Sequence, residues 1–218
     1  MKWLHEVLML GVMALGLILV GCATVKTGGQ ERVRLKEPRI KPLAQSEWTE
    51  EQKKLLTPMI RDGRVFNIFS TLGRYPQMAE KWLTFGTYIL RESTLPERDR
   101  EILILRIGWL CWSEYEFGQH TAIGKRAGLS QEEIMRITKG PGAAGWTPFE
   151  AALLRAVDEL HGDAFIGDDT WKALAGRYNE KQLMDLVMTV GQYTLVSMLL
   201  NSFGVQLDPG VGGFPQQP

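Results

Sequence analysis

The sequence has few cysteines and histidines and no excess of either charge. Of its 218 residues, 2 are cysteine and 3 are histidine, while 25 lysines and arginines balance 25 aspartates and glutamates. No basic stripe is interleaved with aromatic residues, so we predict no nucleic-acid partner. With 44% hydrophobic and 23% charged residues, the composition suits one or two globular domains rather than a disordered or fibrous chain.

The amino terminus has an apolar run that is too short for an ordinary membrane span. Residues 7–20 form this run of 14, after a weakly cationic start that contains Lys2 and His5. A helix needs about 20 apolar residues to cross a bilayer, so we predict a signal peptide over residues 1–21. The run ends in LVGC, which resembles a bacterial lipobox and implies lipidation of Cys22, with an uncleaved anchor as the alternative.

The expected lipid anchor determines the predicted domain organisation and location. Residues 22–45 are a predicted polar linker, residues 46–206 a helical domain, and residues 207–218 an irregular tail rich in glycine and proline. The domain would then be held at a membrane of the cell envelope through Cys22. In a Gram-negative cell, the uncharged Ala23 that follows favours the periplasmic face of the outer membrane.

Cysteine and histidine are scarce enough beyond the amino terminus to be considered one by one. With Cys22 acylated, Cys111 is the one remaining thiol, so no disulfide can form within the mature chain. Its apolar surroundings, IGWLCW, favour a small core residue over a nucleophile. His161 comes just before Gly162 at a predicted helix end, where a cation stabilises the helix dipole. We predict structural roles for both residues and no metal site.

Start and stop signals for helices recur from residue 45 onward. A capping box, in which Ser or Thr is followed three residues later by Glu or Gln, opens segments at Thr49, Ser130 and Thr147. Pro76 and Pro96 can each open a further helix. Strand signals are weak throughout, so we predict one all-α domain. The predicted helices cover residues 49–61, 66–73, 77–91, 96–110, 114–127, 131–138, 148–161, 169–177 and 180–203.

One segment, residues 102–112, is apolar on nearly every face and is therefore predicted to be a buried central helix. If this helix continued to His120, that residue would lie about 28 Å from Glu101 along the axis. A break between Gly108 and Ser113 would instead let the following segment fold back and bring Glu101 and His120 together. The sequence permits this break, because Ser113 begins another capping-box pattern.

Glu116 and His120 lie one helical turn apart and therefore share a helix face. A histidine beside a carboxylate can have a shifted pKa and transfer protons. Glu116 is also the third residue after Ser113, where its carboxylate would cap the backbone N–H of Ser113 and have no chemical role. The residues alone leave both interpretations open for Glu116 and His120.

Two further polar residues are candidates for substrate binding. Arg106 is a charge within the apolar central helix and must pair with Glu101, with a neighbouring carboxylate at a subunit interface, or with a substrate anion. A structural ion pair is the favoured alternative. Tyr193, in GQYT, can donate a hydrogen bond either to a ligand or to the backbone.

The region around His120 resembles a known family. LPERDREILILRIGWLC, which contains Glu101, precedes Ser113, Glu116 and His120, and AGLSQEEI follows them. This arrangement is similar to the carboxymuconolactone decarboxylase family, which includes the alkylhydroperoxidase D-like proteins. The resemblance extends over residues 46–206. It implies an all-α, single-domain fold that assembles into homo-oligomers, as trimers or hexamers, and needs no metal or organic cofactor.

The resemblance also separates two branches of that family. Redox members have a glutamate, a C-x-x-C pair and then a histidine; the glutamate and histidine correspond to Glu101 and His120 here. The two cysteine positions correspond to Ser113 and Glu116, whose side chains cannot form a sulfenate or a disulfide. Cys111 has no partner at C-x-x-C spacing. The sequence therefore resembles the branch that lacks the cysteine pair.

The reaction of the decarboxylase branch sets the expected function. Loss of carbon dioxide from a lactone acid, with movement of a double bond, needs proton transfer and stabilisation of a developing enolate. The resemblance implies a carboxy-lyase-like enzyme that acts on a small organic acid or lactone, with His120, Glu116 and Glu101 as catalytic residues. The alternatives are an antioxidant that reduces peroxides through Cys111 or a partner's thiol, and a non-enzymatic scaffold lipoprotein with a filled pocket.

Overall fold

Helices account for the regular structure of residues 35–215, the part of the chain that the computed structural model describes. This part contains no β-strand, and an isolated bridge joins Arg61 to Arg64. The all-α prediction is confirmed. The predicted signal peptide, Cys22 and the first part of the predicted linker lie outside the described residues. The helices are α1 Glu50–Leu56, α2 Asn67–Leu72, α3 Pro76–Thr87, α4 Glu97–Leu110, α5 Glu114–Arg126, α6 Gln131–Lys139, α7 Pro148–Asp163, α8 Asp168–Ala175 and α9 Glu180–Phe203.

Local capping signals fix most of these helix boundaries. The predicted capping boxes form at Thr49, Ser130 and Thr147, and a further one forms at Asn179. The first helix is shorter than predicted because the 3-10 turn Thr57–Met59, which contains a proline, follows it directly. The third helix continues into a π-helix, Tyr88–Glu92, which the sequence did not indicate. Helix α7 continues through Gly162 to Asp163 and ends at Ala164 in the left-handed conformation.

Helix α4 is the central element of the described residues, and it packs against α5, α7 and α9. Its residues 99–109 are all buried, which includes residues 102–109 of the predicted apolar segment, while residues 110–112 are only partly buried. Five of these apolar side chains have no exposed surface, and full burial of each contributes roughly 1.5–3 kcal/mol. They are Ile102, Leu103, Ile104, Leu105 and Ile107.

The predicted break after α4 forms as a tight reversal. The helix ends at Leu110, Trp112 adopts a left-handed conformation with φ of 55°, and Ser113 N donates to Gly108 O at 2.9 Å. Helix α5 then folds back along α4. The two helices are close at Gly108, where a Cβ would be in ordinary van der Waals contact with Glu116 Cβ at 3.6 Å. The two helices thereby bring the site residues of both segments together.

The long helix α9 combines a buried face with an exposed apolar face. Its length and composition would suit a membrane span, but 56% of its most apolar window is buried inside the protein. On the outer face Met184, Met188, Leu195 and Met198 are exposed. Their spacing of four, seven and three residues places them in one line along the helix. We call these four residues the α9 stripe.

Irregular segments at both ends of the described chain pack against the helices. Near the amino end, Arg39 N and Ile40 N donate to Phe203 O. Near the carboxyl end, Asp208 is buried and accepts hydrogen bonds from the hydroxyl of Tyr115, Gln119 Nε2 and the backbone N–H of Asn67. The described part of the predicted tail is irregular, as expected, yet it is fastened to the domain.

Candidate active site

His120 lies between two carboxylates in a buried group. Its Nδ1 is 2.6 Å from Glu101 Oε2, and its Nε2 is 3.0 Å from Glu116 Oε1. Glu101 has no exposed surface, and His120 and Glu116 are also buried. The structure therefore brings together the three residues that the sequence identified as catalytic candidates, one from α4 and two from α5.

The start of α5 explains why Glu116 is available to His120. Ser113 is the residue before the helix, as predicted, but its side chain makes no capping hydrogen bond and the capping box does not form. The Ser113 hydroxyl is buried without a hydrogen-bond partner among residues 35–215. Glu116 consequently directs its carboxylate toward the ring of His120, which lies one turn along the same helix face.

The two carboxylates determine the charge of the His120 ring. Burial lowers the pKa of His120, but Glu101 and Glu116 together outweigh this effect and raise it from 6.5 to about 10. The ring is therefore an imidazolium at neutral pH. Arg100 Nε lies 3.5 Å from the second oxygen of Glu101 and partly balances the two negative charges. The buried group thus contains two cations and two anions.

Glu116 and His120 are reached from a cavity of about 540 Å³. Helices α3, α5 and α9, the segment before α3 and the π-helix enclose it. Its walls are largely apolar and include the aromatic side chains of Phe66, Phe69 and Trp82. Glu101 does not line the cavity, so it contacts the ring of His120 from the side that faces the protein interior. The cavity therefore reaches Glu116 and His120, two of the three predicted catalytic residues.

Tyr193 also lines this cavity. Its ring meets the ring of His120 edge-on, with centroids 5.0 Å apart and planes at 82°. Its hydroxyl makes no hydrogen bond within the described residues, so the alternative of a backbone partner is not realised there. Burial, followed by the charges of Glu116 and Glu101, raises the pKa of Tyr193, which is therefore a neutral phenol at physiological pH.

Arg106 is not part of the cavity. Its guanidinium pairs with both carboxylate oxygens of Asp158, at 2.6 and 2.9 Å, and donates to the backbone carbonyls of Ile137 and Thr138. These contacts fasten α4 to α6 and α7. This geometry supports the alternative of a structural ion pair for Arg106. It does not support the suggested role in substrate binding.

Cys111 and His161 lie together at another place in the fold. Cys111 Sγ is 3.8 Å from His161 Nδ1, a contact between the end of α4 and the last turn of α7. Neither residue lines the cavity that contains His120. No group of three or more His, Cys, Asp or Glu side chains within residues 35–215 has the arrangement needed to hold a metal ion.

Several residues of the cavity were not identified from the sequence. Gln192 is buried and lines the cavity beside Tyr193. Arg61 and Arg91 line it as well but are exposed to solvent. A polar residue inside the apolar helix α9 is a signal that could have indicated Gln192. No comparable local signal marks the arginines, because exposed charges are ordinary in any sequence.

The family comparison places the candidate site within a matched segment. Residues 76–159 match the carboxymuconolactone decarboxylase family. This segment extends from α3 into α7 and contains Glu101, Glu116 and His120. The all-α fold of the described residues is the fold of carboxymuconolactone decarboxylase-like and alkylhydroperoxidase D-like proteins. No protein of curated function matches the sequence.

Solved structures with the same fold differ widely from this chain in sequence. A peroxidase-related protein from Ralstonia eutropha with an alkylhydroperoxidase core has a TM-score of 0.69 and 15% identity, covering 79% of this chain and 93% of that one. A peroxidase-related protein from Silicibacter has a TM-score of 0.65 and 15% identity, with coverages of 82% and 93%. A debrominase in complex with 2,3,4-tribromopyrrole has a TM-score of 0.64 and 14% identity, with coverages of 80% and 94%. At these identities the likeness concerns the fold.

Proposed function

We propose that the cavity catalyses cofactor-free acid/base chemistry, a decarboxylation or proton transfer, on a small organic acid or lactone. The observation that supports this proposal is the position of His120, held as an imidazolium between Glu101 and Glu116 beside an open apolar cavity. In this arrangement the Glu116 carboxylate can accept a proton and the imidazolium can donate one, without a metal or organic cofactor. The apolar surroundings strengthen its electrostatic effect on a developing enolate.

The geometry supports a different role for each of the three residues. Glu116 and His120 both line the cavity, but both ring nitrogens of His120 already face carboxylates. Glu116 is thus the group that takes a proton from a substrate carbon, while the adjacent imidazolium stabilises the negative charge that develops. In an isomerisation, Glu116 exchanges this proton with solvent and returns a proton to another carbon. In a decarboxylation no carbon–hydrogen bond is broken: the carboxylate leaves as carbon dioxide, and the enolate that remains takes a proton from the His120 imidazolium, which recovers one from solvent. Glu101 keeps the ring oriented and charged.

The proposal is tested by the release of carbon dioxide and by isomerisation in a panel of lactone acids and unsaturated lactones. His120→Ala should abolish turnover of any substrate found, and the circular dichroism spectrum should stay that of the folded protein. His161→Ala is the matched control, because this exposed histidine lies outside the cavity. Turnover retained in His120→Ala would remove His120 from the mechanism.

A second candidate function is peroxide reduction of the alkylhydroperoxidase type. Two of the similar structures are described as peroxidase-related, and Cys111 has a histidine 3.8 Å from its sulfur. This function predicts peroxidase activity with a thiol donor that is lost when Cys111 is alkylated. A non-enzymatic scaffold, the third candidate, predicts that ligands bind in the cavity without turnover in either assay.

We also propose that the protein is a lipid-anchored homo-oligomer of the cell envelope. The lipobox-like LVGC supports lipidation of Cys22, and the resemblance to the family supports a trimer or hexamer. The exposed α9 stripe supplies an apolar surface that a second copy of the chain could cover. Labelling with a fatty acid, compared between the wild type and Cys22→Ser, tests the anchor. Light scattering of the mature domain tests the assembly.

A further inference from the structure

One polar side chain in the cavity is not used by the acid/base group. Gln192, on α9, lines the cavity and has only 5% of its surface exposed. Its carboxamide makes no hydrogen bond with any part of residues 35–215. Its amide atoms are not sealed from the cavity, and polar groups in such positions are ordinarily satisfied by a ligand or by water. A ligand that completes the hydrogen bonds of Gln192 accounts for this position.

The space beside this amide is left open by a glycine. Gly86, on α3, lines the same cavity, and a Cβ added to it would stand 3.6 Å from Gln192 Nε2. Gly86 has no side chain to occupy that space, so the amide is accessible to a bound molecule. The side chain of Gln192 is therefore buried as a whole, while its amide borders the cavity next to Gly86.

The charged residues that line the cavity form two groups, one at its buried inner end and one at its solvent-exposed mouth. Glu116 and His120 are the charged residues of the buried inner end in the described chain, and they are already paired with each other. Arg61 and Arg91 line the cavity where it is exposed to solvent. An anion at the inner end would meet the carboxylate of Glu116 without a free cation to balance it. An uncharged polar group would avoid that cost.

We propose that the inner end binds the uncharged carbonyl group of a lactone or ester, whose oxygen accepts a hydrogen bond from the Gln192 amide. This inference rests on the proposed function and assigns recognition of the substrate carbonyl to Gln192 on α9. The aromatic walls cover the apolar body of the ligand, and a carboxylate on the same molecule lies at the mouth beside Arg91. Gln192 is then a residue that determines specificity.

A pair of probes with the same phenylbutanoyl skeleton tests this assignment. The first, γ-phenyl-γ-butyrolactone, has an uncharged ring carbonyl, and the second, 4-phenylbutanoate, has a carboxylate. Titration calorimetry on the mature protein measures both dissociation constants. Gln192→Met keeps the side-chain length and removes the amide, so it should weaken lactone binding roughly three- to tenfold, as expected for one uncharged hydrogen bond, and leave acid binding unchanged. Arg91→Gln should weaken acid binding and leave lactone binding unchanged.

Ser197→Ala is the matched control for Gln192→Met. Ser197 is also on α9, is fully buried, and its hydroxyl has no hydrogen-bond partner in the described chain, but it does not line the cavity. Its replacement should change neither dissociation constant. Equal weakening of both probes by Gln192→Met would overturn the assignment, as would unchanged lactone binding or no lactone binding to the wild type.

Two further comparisons keep the test decisive. If Gln192→Met does not fold, as judged by its thermal melting, the wild-type protein must still bind the lactone more tightly than the acid, and the opposite order overturns the assignment. Binding is measured without any turnover. A failure of the proposed catalysis, seen as an absence of product, is therefore distinguishable from a failure of the Gln192 assignment, seen in the dissociation constants.

Discussion

The charge of His120 yields a quantitative prediction. The carboxylates of Glu101 and Glu116, 2.6 and 3.0 Å from its ring nitrogens, raise its pKa from 6.5 to about 10 despite burial. This difference corresponds to on the order of 5 kcal/mol in favour of the charged ring in the folded state. We therefore expect the ring nitrogens of His120 in ¹⁵N-labelled protein to keep the chemical shifts of an imidazolium at pH 8.

The same pKa shift predicts how stability depends on pH. Because the folded-state pKa lies above the unfolded value, the contribution of His120 is fully present below pH 6.5 and is lost as the pH rises through 10. Urea unfolding between pH 7 and 9 should show the free energy of unfolding falling by up to about 1.4 kcal/mol per pH unit. His120→Gln should lack that part of the slope. Equal slopes in the two proteins, or neutral-ring shifts at pH 8, would refute the reasoning.

Three other substitutions test the surroundings of the site. Arg106→Gln should lower the free energy of unfolding by about 3 kcal/mol in urea titrations, because it leaves the carboxylate of Asp158 without its partner; a change near zero would contradict this. Gly118→Ala would place a Cβ 2.2 Å from Gly212 O, so it should displace the tail and make it sensitive to proteases, and continued protection would be the contrary result. Leu195→Glu places a charge in the middle of the α9 stripe. It should convert the proposed oligomer to monomers in light scattering without unfolding them, and an unchanged mass would argue against this interface.

The helices could be predicted because their signals are local. The capping boxes at Thr49, Ser130 and Thr147 depend on residues three positions apart, and the buried helix α4 has a continuous apolar sequence. The π-helix Tyr88–Glu92 carries no such pattern. Such i→i+5 turns are rare and short, so a local pattern gives little basis for predicting one.

The sequence identified the acid/base residues of the site, but it predicted their arrangement only in part. The break between Gly108 and Ser113 followed from the need to bring Glu101 to His120, but the sequence could not show whether Glu116 caps the helix or faces His120. In the folded chain the backbone N–H of Ser113 donates to Gly108 O, so it is not available to Glu116. Gln192 could have been noticed as a polar residue in an apolar helix, but this pattern does not show which cavity it lines, because that cavity is formed by several distant segments.

The central claim is that Glu116 and His120 move a proton on a substrate in this cavity. Its most direct test is the isomerisation of the β,γ-unsaturated compound α-angelica lactone to its conjugated isomer in deuterium oxide, followed by proton NMR. The wild-type protein should accelerate this shift and incorporate deuterium from the solvent. Glu116→Gln and His120→Ala should each lower the rate at least roughly a hundredfold, the usual contribution of a positioned acid or base. Equal rates in the wild type and both variants would contradict the claim.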